Sequence, residues 1–318
     1  MSVPVYLAKL AVKNPSDHRL AKIKRLCDAV GLADKVKPLG TVGEDEVVAI
    51  KLHFGEAGND TYLHPTFVRQ VVDCVKATGA RPFLTDTCTL YKSTRHNAVD
   101  HLETAYRHGF TPYVVDAPVI MADGVTSKCY EEVAVNLKHF ASVKIAQAFL
   151  SANAMVVLSH FKGHAMGGFG GAIKNISIGI ASSAGKAWIH SAGKTKNAAE
   201  MWSVLPPQDD FLESMAEAAK AVADHCGERI LYINVMNNLS VDCDAHPAAP
   251  EMGDIGILAS TDPVALDKAC VDLVYASDDP GKVHLIERIE SRHGTHTLDH
   301  AAAIGLGDPD YELIDIDN

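Results

Sequence analysis

Segments typical of buried strands alternate with segments typical of helices along most of this chain of 318 residues. Residues 47–54 (VVAIKLHF) are mostly apolar and rich in β-branched side chains, a composition typical of a buried strand. Residues 64–78 follow, where a proline suits the first helical turn and apolar side chains recur at helical spacing. This alternation predicts an α/β fold with a mainly parallel sheet covered by helices on both faces, in one lobe or two.

The rest of the chain continues the same alternation. Further strands are predicted over residues 81–87, 113–120, 154–159, 230–235, 255–259 and 311–316. Further helices are predicted over residues 97–108, 142–152, 169–180, 211–225 and 263–275, the last capped by Asp262. The polar and apolar side chains of residues 129–139 alternate and predict a hairpin arm. We expect a single domain over residues 1–318, in which residues 191–210 form an irregular surface connection.

The composition argues against several classes of protein. The formal net charge is −11 and no basic stripe compensates for it, so we do not expect a nucleic-acid partner. A local basic pocket stays open, because four lysines are close in sequence: Lys162, Lys174, Lys186 and Lys194. Seven scattered cysteines without a CxxC pair argue against a disulfide framework and against a four-cysteine metal site.

The same features predict a cytoplasmic location. Unpaired, scattered cysteines fit a reducing compartment. The start of the chain has no long apolar stretch, so we do not expect a signal peptide. No run of about 18 apolar residues occurs, and we therefore expect no membrane span.

The most unusual segment is residues 159–175 (SHFKGHAMGGFGGAIKN), at the end of the strand predicted over residues 154–159. It contains two histidines, two lysines and five glycines. In parallel sheets ligands bind beyond the carboxyl ends of the strands, and glycines let the backbone approach a ligand closely. A glycine-rich entry into a helix that carries lysines suits a carboxylate or a phosphate. The alternative is a tight strand–helix junction that binds no ligand.

Polar side chains near this edge of the predicted sheet suit three roles. Imidazoles bind metal ions or move protons, and a lysine on an apolar surface can act as a base or bind an anion. The candidate catalytic residues are His160, His164 and Lys174. The candidate contacts to an anionic ligand or cofactor are Lys162, Gly167, Gly168, Gly170, Gly171, Asp86 and Thr87. The candidate ligands of a divalent metal ion are His53, His160, His164 and His190.

Each role has a structural alternative. A single histidine among these is more often a hydrogen-bonded structural group than a metal ligand. Lys174 can instead extend its ammonium group to solvent while its methylenes cover apolar surface. The sequence leaves both alternatives open.

Several segments resemble, in the same order, the domain of unknown function 362 family, and in particular its branch of uncharacterised iron–sulfur-centre proteins. They include residues 51–59 (KLHFGEAGN), 159–179 (SHFKGHAMGGFGGAIKNISIG) and 254–273 (DIGILASTDPVALDKACVDL). The resemblance covers nearly the whole chain and is specific at the level of the family. The family has no firm reaction, so the resemblance implies a class of protein and not a substrate.

One departure from that family concerns its cofactor. Relatives in the iron–sulfur branch carry a ferredoxin-like insert with cysteine clusters just after the segment that matches His190 and Ser191. Here residues 193–210 take that place and contain no cysteine. We therefore expect no iron–sulfur cluster in this chain.

A shorter resemblance concerns residues 168–182 (GFGGAIKNISIGIAS), which are similar to the glycine–lysine segment of the nickel-pincer lactate racemase family. In that family a lysine of the motif holds the cofactor, and histidines transfer protons or bind nickel. The lysine that matches is Lys174. The other motifs of the racemase are not evident in this chain.

These patterns favour an enzyme that binds a small anionic molecule, with a divalent metal ion as a candidate cofactor. Proton transfer at a carbon next to a carboxylate is the first chemistry to test. One alternative is a non-catalytic binding or scaffold protein derived from an iron–sulfur family. Another is a redox protein whose cluster domain is a separate partner chain, and assembly into a homo-oligomer also stays open.

Overall fold

One eight-stranded sheet forms the centre of the part of the chain that the computed structural model describes, residues 2–40, 46–243 and 248–317. The strands in those residues are β1 (Val3–Lys9), β2 (Val47–Lys51), β3 (Arg81–Asp86), β4 (Val119–Met121), β5 (Tyr130–Ala134), β6 (Ser142–Ala146), β7 (Ala154–His160), β8 (Lys162–His164), β9 (Gly168–Gly170), β10 (Ile230–Met236), β11 (Gly256–Ser260) and β12 (Tyr311–Asp315). The helices are α1 (Arg19–Ala29), α2 (Leu32–Val36), α3 (Pro65–Lys76), α4 (Ala98–Arg107), α5 (Pro112–Val115), α6 (Gln147–Leu150), α7 (Ala172–Ile176), α8 (Ser183–His190), α9 (Gln208–Cys226), α10 (Pro263–Ala276), α11 (Lys282–Ser291) and α12 (His296–Ala303).

The large sheet has the strand order β12-β1-β11-β10-β7-β2-β3-β4. The strands β10, β7, β2, β3 and β4 run parallel to one another, and β1 and β12 are also parallel to each other. β11 is antiparallel to both β1 and β10. The prediction of a mainly parallel sheet is therefore confirmed. Two short antiparallel pairs, β5 with β6 and β8 with β9, lie outside the large sheet.

Helices cover both faces of the sheet because alternate strand residues point to opposite faces. In β2, Val48 and Ile50 belong to a core cluster that includes Leu26 of α1 and Val72 of α3. Ala49 between them belongs to a second cluster, which contains buried residues of α7, α8, α9 and α10. The predicted two-faced α/β architecture is thus confirmed.

Most predicted elements are found close to their expected positions, including the helix capped by Asp262. The side-chain Oδ1 of Asp262 accepts the backbone N–H groups of Val264 and Ala265 at 2.8 and 3.0 Å. Pro263 occupies the first turn of α10, where a missing N–H costs no helical hydrogen bond.

Two predictions in the middle of the chain are wrong. Residues 113–120 were expected as one strand, but the helix α5 begins at Pro112 and only β4 is extended. Residues 142–152 were expected as a helix, but their first half is β6. There Val143 and Ile145 are buried and pair with β5, so strand pairing outweighs the helical propensity of the alanines.

The bounds of the helix predicted over residues 169–180 are also wrong. Gly168–Gly170 pair with Lys162–His164 as a small hairpin, and only Ala172–Ile176 are α-helical. A single 3-10 turn, Ile178–Ile180, follows. The glycines permit this tight sequence of hairpin and short helix within about a dozen residues.

None of the helices within the described ranges combines the length and the apolar character that crossing a bilayer requires. Of residues 191–210, Met201–Ser203 form a 3-10 turn and the last three begin α9. The assignment of the whole chain to one domain stays a prediction.

Candidate functional site

A cavity of about 810 Å³ lies at the carboxyl ends of β2, β3 and β7. Lys51 ends β2, Asp86 ends β3 and His160 ends β7, and all three side chains line the cavity. β2 lies between β7 and β3 and runs parallel to both, so the three ends meet at the same edge of the sheet. This is where open α/β sheets bind their ligands.

Nine of the twelve residues that the sequence suggested for the site line this cavity. Most come from the end of β7 and the segment that follows it, and the others come from the loop after β2, from the end of β3 and from α8. They are His53, Asp86, His160, Lys162, His164, Gly170, Gly171, Lys174 and His190.

The other three lie behind the cavity wall. The hydroxyl of Thr87 accepts a hydrogen bond from the Lys186 ammonium and donates one to the carbonyl of Gly179. Gly167 donates its N–H to Nδ1 of His164 at 2.9 Å. Gly168 has a φ of +79° and packs against the backbone of Gly294. These residues support the wall and are not placed to contact a ligand directly.

The cavity lining is strongly cationic, in contrast to the chain as a whole. Its cationic side chains are Lys51, Lys92, Arg95, Lys162, Lys174 and Lys186. Among the residues that the structure describes, its acidic side chains are Glu56 and Asp86. Positive charge is therefore concentrated at this cavity although the formal net charge of the chain is −11. A cleft of one sign of charge attracts ligands of the opposite sign.

Asp86 lies at the centre of a buried ion-pair network. Its Oδ1 is 2.9 Å from the Lys51 ammonium, and Arg95 and His101 lie within 4 Å of its Oδ2. Burial raises the pKa of Asp86, but the positive charges of Lys51 and its neighbours outweigh burial and hold that pKa below the usual range. Arg95 also donates two hydrogen bonds to Glu56. The network therefore keeps Asp86 ionised at neutral pH.

Lys186 lies on α8 and is 7% exposed. Its ammonium group donates to the hydroxyl of Thr87 and to the carbonyl of Ala181. Burial lowers the pKa of Lys186 to about 8, although Asp123 and Asp86 act in the opposite direction. This lysine therefore changes its charge within a readily accessible pH range.

His164 and His190 are held as opposite tautomers. Nδ1 of His164 accepts the backbone N–H groups of Met166 and Gly167, so in the neutral ring Nε2 carries the hydrogen. Nδ1 of His190 donates to the carbonyl of Lys186 at 2.7 Å, so Nε2 carries the lone pair. The pair thus offers one N–H donor and one proton acceptor.

Both rings are neutral at pH 7. Burial, followed by the charge of Lys174, holds the pKa of His164 well below its usual range. Burial lowers the pKa of His190 to about 4, and Lys174 contributes in the same direction. Because Lys174 acts on both imidazoles, its ammonium group lies in electrostatic reach of each.

The two remaining candidate histidines are also oriented by the backbone. Nε2 of His160 lies 2.6 Å from the carbonyl of Asn237 and donates to it. Nδ1 of His53 accepts the N–H of Gly55 at 2.9 Å. These contacts fix each ring and define which nitrogen bears hydrogen in the neutral form.

The start of α7 is occupied by a carboxylate of the chain itself. The carboxylate of Asp267, on α10, accepts the N–H groups of Ala172 and Ile173 at 2.7 and 3.0 Å. It also accepts from the side-chain amide of Asn234 at 2.7 Å. The expectation that these N–H groups bind an external anion is therefore wrong, because Asp267 already satisfies them.

The glycines of the segment mainly allow close packing of the chain against itself. A Cβ at Gly171 would overlap the carboxylate of Asp267, and a Cβ at Gly163 would overlap the carbonyl of Val241. Gly170 instead makes room for a functional side chain, since a Cβ there would lie 3.2 Å from Cδ of Lys174. The glycines thus position the cations and imidazoles more than they approach a ligand.

A shared metal ion on the four cavity histidines stays a prediction. Within the described ranges, the cluster with at least three candidate ligand atoms, all within 4.8 Å of one another, consists of His139, Asp210 and Glu213. None of these residues lines the cavity.

The sequence interpretation missed two cavity residues, Lys51 and Arg95, and the carboxylate of Asp267 that caps α7. It named Lys186 only as part of a possible basic pocket. Lys51 interrupts an apolar run, and a lysine inside a buried strand was the signal that could have revealed it. Arg95 lies in the loop between β3 and α4, where nothing in the local pattern distinguishes it. Asp267 lies on one side of an apolar helix, and its role depends on a contact with residues about 95 positions away.

The fold and the site together define an α/β protein with an electropositive, histidine-containing cavity at the carboxyl edge of a mainly parallel sheet. The chain belongs to the family described as Domain of unknown function (DUF362), whose sequence profile matches residues 48–272. The match spans β2, β3, β7 and α7, and so includes the elements that build the cavity.

Solved structures of low sequence identity are similar in part. The lactate racemase apoprotein from Thermoanaerobacterium thermosaccharolyticum has a TM-score of 0.47 at 13% identity, over 79% of this chain and 55% of that chain. A protein from Thermotoga maritima has a TM-score of 0.44 at 12% identity, over 90% of this chain and 59% of that chain. This chain thus spans less than two thirds of the length of either. The comparison with curated proteins finds no match.

Proposed function

We propose that this chain is an enzyme that binds a small anionic molecule, a carboxylate or a phosphate, in the cavity and moves a proton on it. The observation that carries the proposal is the excess of cationic over acidic side chains in the cavity lining. Lys51 and Arg95 balance the charges of Asp86 and Glu56. The lining contains four further cationic side chains, those of Lys92, Lys162, Lys174 and Lys186, and they favour an anionic ligand.

The proposed chemistry uses the two neutral imidazoles. Nε2 of His190 would accept a proton from the substrate carbon and later return it, and Nε2–H of the neutral His164 would donate a hydrogen bond to the substrate carboxylate, where negative charge develops. Lys174 would hold the anionic group, and its charge would stabilise negative charge that develops on the neighbouring carbon. Proton abstraction next to a carboxylate is the reaction class that this arrangement favours.

Binding can be tested by calorimetric titration with inorganic phosphate and with small carboxylates. We expect the Lys174→Ala variant to bind the preferred anion at least about tenfold more weakly, since one charge-assisted contact is lost. Lys194→Ala is the matched control, because Lys194 is exposed and does not line the cavity. Equal affinity of the wild type and Lys174→Ala would contradict the proposed anion site.

Proton transfer can be tested separately by following deuterium exchange from D₂O into small carboxylates by NMR. We expect exchange at the carbon next to the carboxylate in the wild type and its loss in His190→Asn and His164→Asn. Anion binding without exchange in the wild type would support the alternative, a non-catalytic binding protein. Zinc, nickel and iron content should be measured in the same preparations, because His53, His160, His164 and His190 are also the predicted metal ligands.

A further inference from the structure

A second cluster of ligand-type side chains lies on α9, outside the cavity. Asp210 and Glu213 are one helical turn apart on α9, and His139 approaches them from the loop between β5 and β6. One ligand atom from each of the three lies within 4.8 Å of the other two. Nε2 of His139 is 2.7 Å from Glu213 Oε2 and 3.8 Å from Asp210 Oδ1.

A fully buried carboxylate lies behind this cluster. Glu217 is one turn further along α9 and has 0% exposure. Its Oε2 accepts the backbone N–H of His139 at 2.9 Å. Its Oε1 has no hydrogen-bond partner among the described residues and lies 3.5 Å from Nε2 of His300. A buried carboxylate oxygen without a donor is unfavourable, which indicates that a cation or a water molecule belongs next to it.

Two histidines of α12 also approach Glu213. Nε2 of His296 lies 3.2 Å from Glu213 Oε1, and Nδ1 of His300 lies 3.9 Å from the same oxygen. Glu213 is therefore approached by three imidazoles from two different elements, the β5–β6 loop and α12. This density of imidazole and carboxylate groups is typical of sites for zinc and other divalent transition metals.

The competing account is a network of ion pairs without a metal. The ammonium group of Lys138 lies 2.6 Å from Glu213 Oε2, and protonated histidines could supply the remaining positive charge. Lys138 is 58% exposed and can move into solvent when an ion binds. The network leaves Oε1 of Glu217 without a hydrogen-bond donor among the described residues, whereas a cation bound to Glu213, one helical turn away, would partly offset the charge of Glu217.

We infer that His139, Asp210 and Glu213 bind one divalent transition-metal ion, with His296 as the nearest additional imidazole. The ion would join the β5–β6 loop to α9 and, through Glu213, to α12. Its site is distinct from the anion cavity, so this inference does not depend on the proposed function.

The test is a titration of the chelator-treated full chain with Co²⁺, followed by visible absorption, and with Zn²⁺, followed by the melting temperature. We expect a four- or five-coordinate cobalt spectrum at one equivalent and a higher melting temperature with zinc. In His139→Ala and Glu213→Gln the affinity should fall at least tenfold and the rise in melting temperature should disappear. His284→Ala, which removes an exposed histidine paired with Glu251, should behave as the wild type.

Two results would overturn the inference. One is equal Co²⁺ affinity of the wild type and both cluster variants, which would leave the ion-pair network as the explanation. The other is loss of the signal in His190→Asn alone, which would assign the ion to the cavity. Glu213→Gln keeps the shape of the side chain. If circular dichroism shows that His139→Ala does not fold, the Co²⁺ affinity of Glu213→Gln alone decides the test.

Discussion

The ammonium group of Lys51 lies 2.9 Å from the carboxylate of Asp86, and neither side chain is more than 5% exposed. Burial lowers the pKa of Lys51, whereas Asp86 acts to raise it. Each charge therefore lowers the free-energy cost of burying the other charge. Lys51 also donates to Oδ1 of Asn175 at 2.7 Å, which connects the sheet edge to α7. Removing one member should leave an uncompensated buried charge.

We expect Lys51→Met to lower the free energy of unfolding by about 3–5 kcal/mol, because Asp86 would keep only the more distant Arg95 as a nearby counter-charge. Urea denaturation measures the change. Lys24→Met is the matched control, since Lys24 and Asp28 form an exposed pair whose contribution to stability is small. A loss in Lys51→Met no greater than in the control would show that the buried pair is not stabilising in this way.

Gly171→Ala should disrupt the start of α7. The added methyl would overlap the carboxylate of Asp267, so the cap on Ala172 and Ile173 could not form as it does now. We expect a loss of about 3 kcal/mol in the free energy of unfolding from overpacking and the lost cap. Gly167→Ala is the control, because the nearest atom to its Cβ would be 3.3 Å away, and we expect it to cost about 1 kcal/mol or less. Similar losses in both variants would argue against this explanation.

The architecture and the position of the site follow from local patterns in the sequence. Apolar strands such as β7 and capped helices such as α10 have strong periodic signals, and the order of strands and helices predicts the edge at which polar residues converge. The histidines and lysines after β7 were found in this way.

The features that could not be predicted from the sequence depend on contacts between residues that are far apart in the chain. β6 is a strand because β5 lies beside it, although residues 142–152 read locally as a helix. Asp267 caps α7 across about 95 residues, so an N-terminus that looked suitable for a ligand was already satisfied. The metal cluster is likewise invisible in sequence, since His139 and Glu213 are 74 residues apart.

Acid should destabilise the protein through His190. The unfolded state gains a proton near the ordinary histidine pKa of about 6.5, whereas burial keeps the pKa of His190 at about 4 in the folded state. The unfolded state therefore binds more protons below pH 6.5, so stability is full above this pH and falls as the pH decreases towards 4. The contribution of His190 is about 3 kcal/mol over that window.

His190→Asn should therefore reduce the pH dependence of unfolding by about one proton between pH 6.5 and 4. The amide of asparagine can still donate to the carbonyl of Lys186, which keeps the wall of the cavity in place. Urea denaturation at several pH values gives the slope. An unchanged slope in the variant would mean that His190 is not the neutral buried group described here.

Binding of an anion should weaken at alkaline pH because of Lys186. Its pKa, lowered by burial to about 8, means that the cavity loses one positive charge between pH 7 and 9. Bound anions favour the charged lysine, so affinity should be highest below pH 8 and should fall by about tenfold between pH 7 and 9. A small carboxylate is the suitable ligand, since its own charge does not change in this range.

Lys186→Met should bind the same carboxylate more weakly at pH 7 and should show a much smaller change from pH 7 to 9. Any remaining slope would come from other groups that lose positive charge at alkaline pH, such as Lys51, whose pKa is also lowered by burial. Lys194→Met, which alters an exposed lysine, should follow the wild-type profile. A wild-type affinity that is constant from pH 7 to 9 would contradict a role for Lys186 in holding the anion, and would shift that role to Lys162 and Lys174.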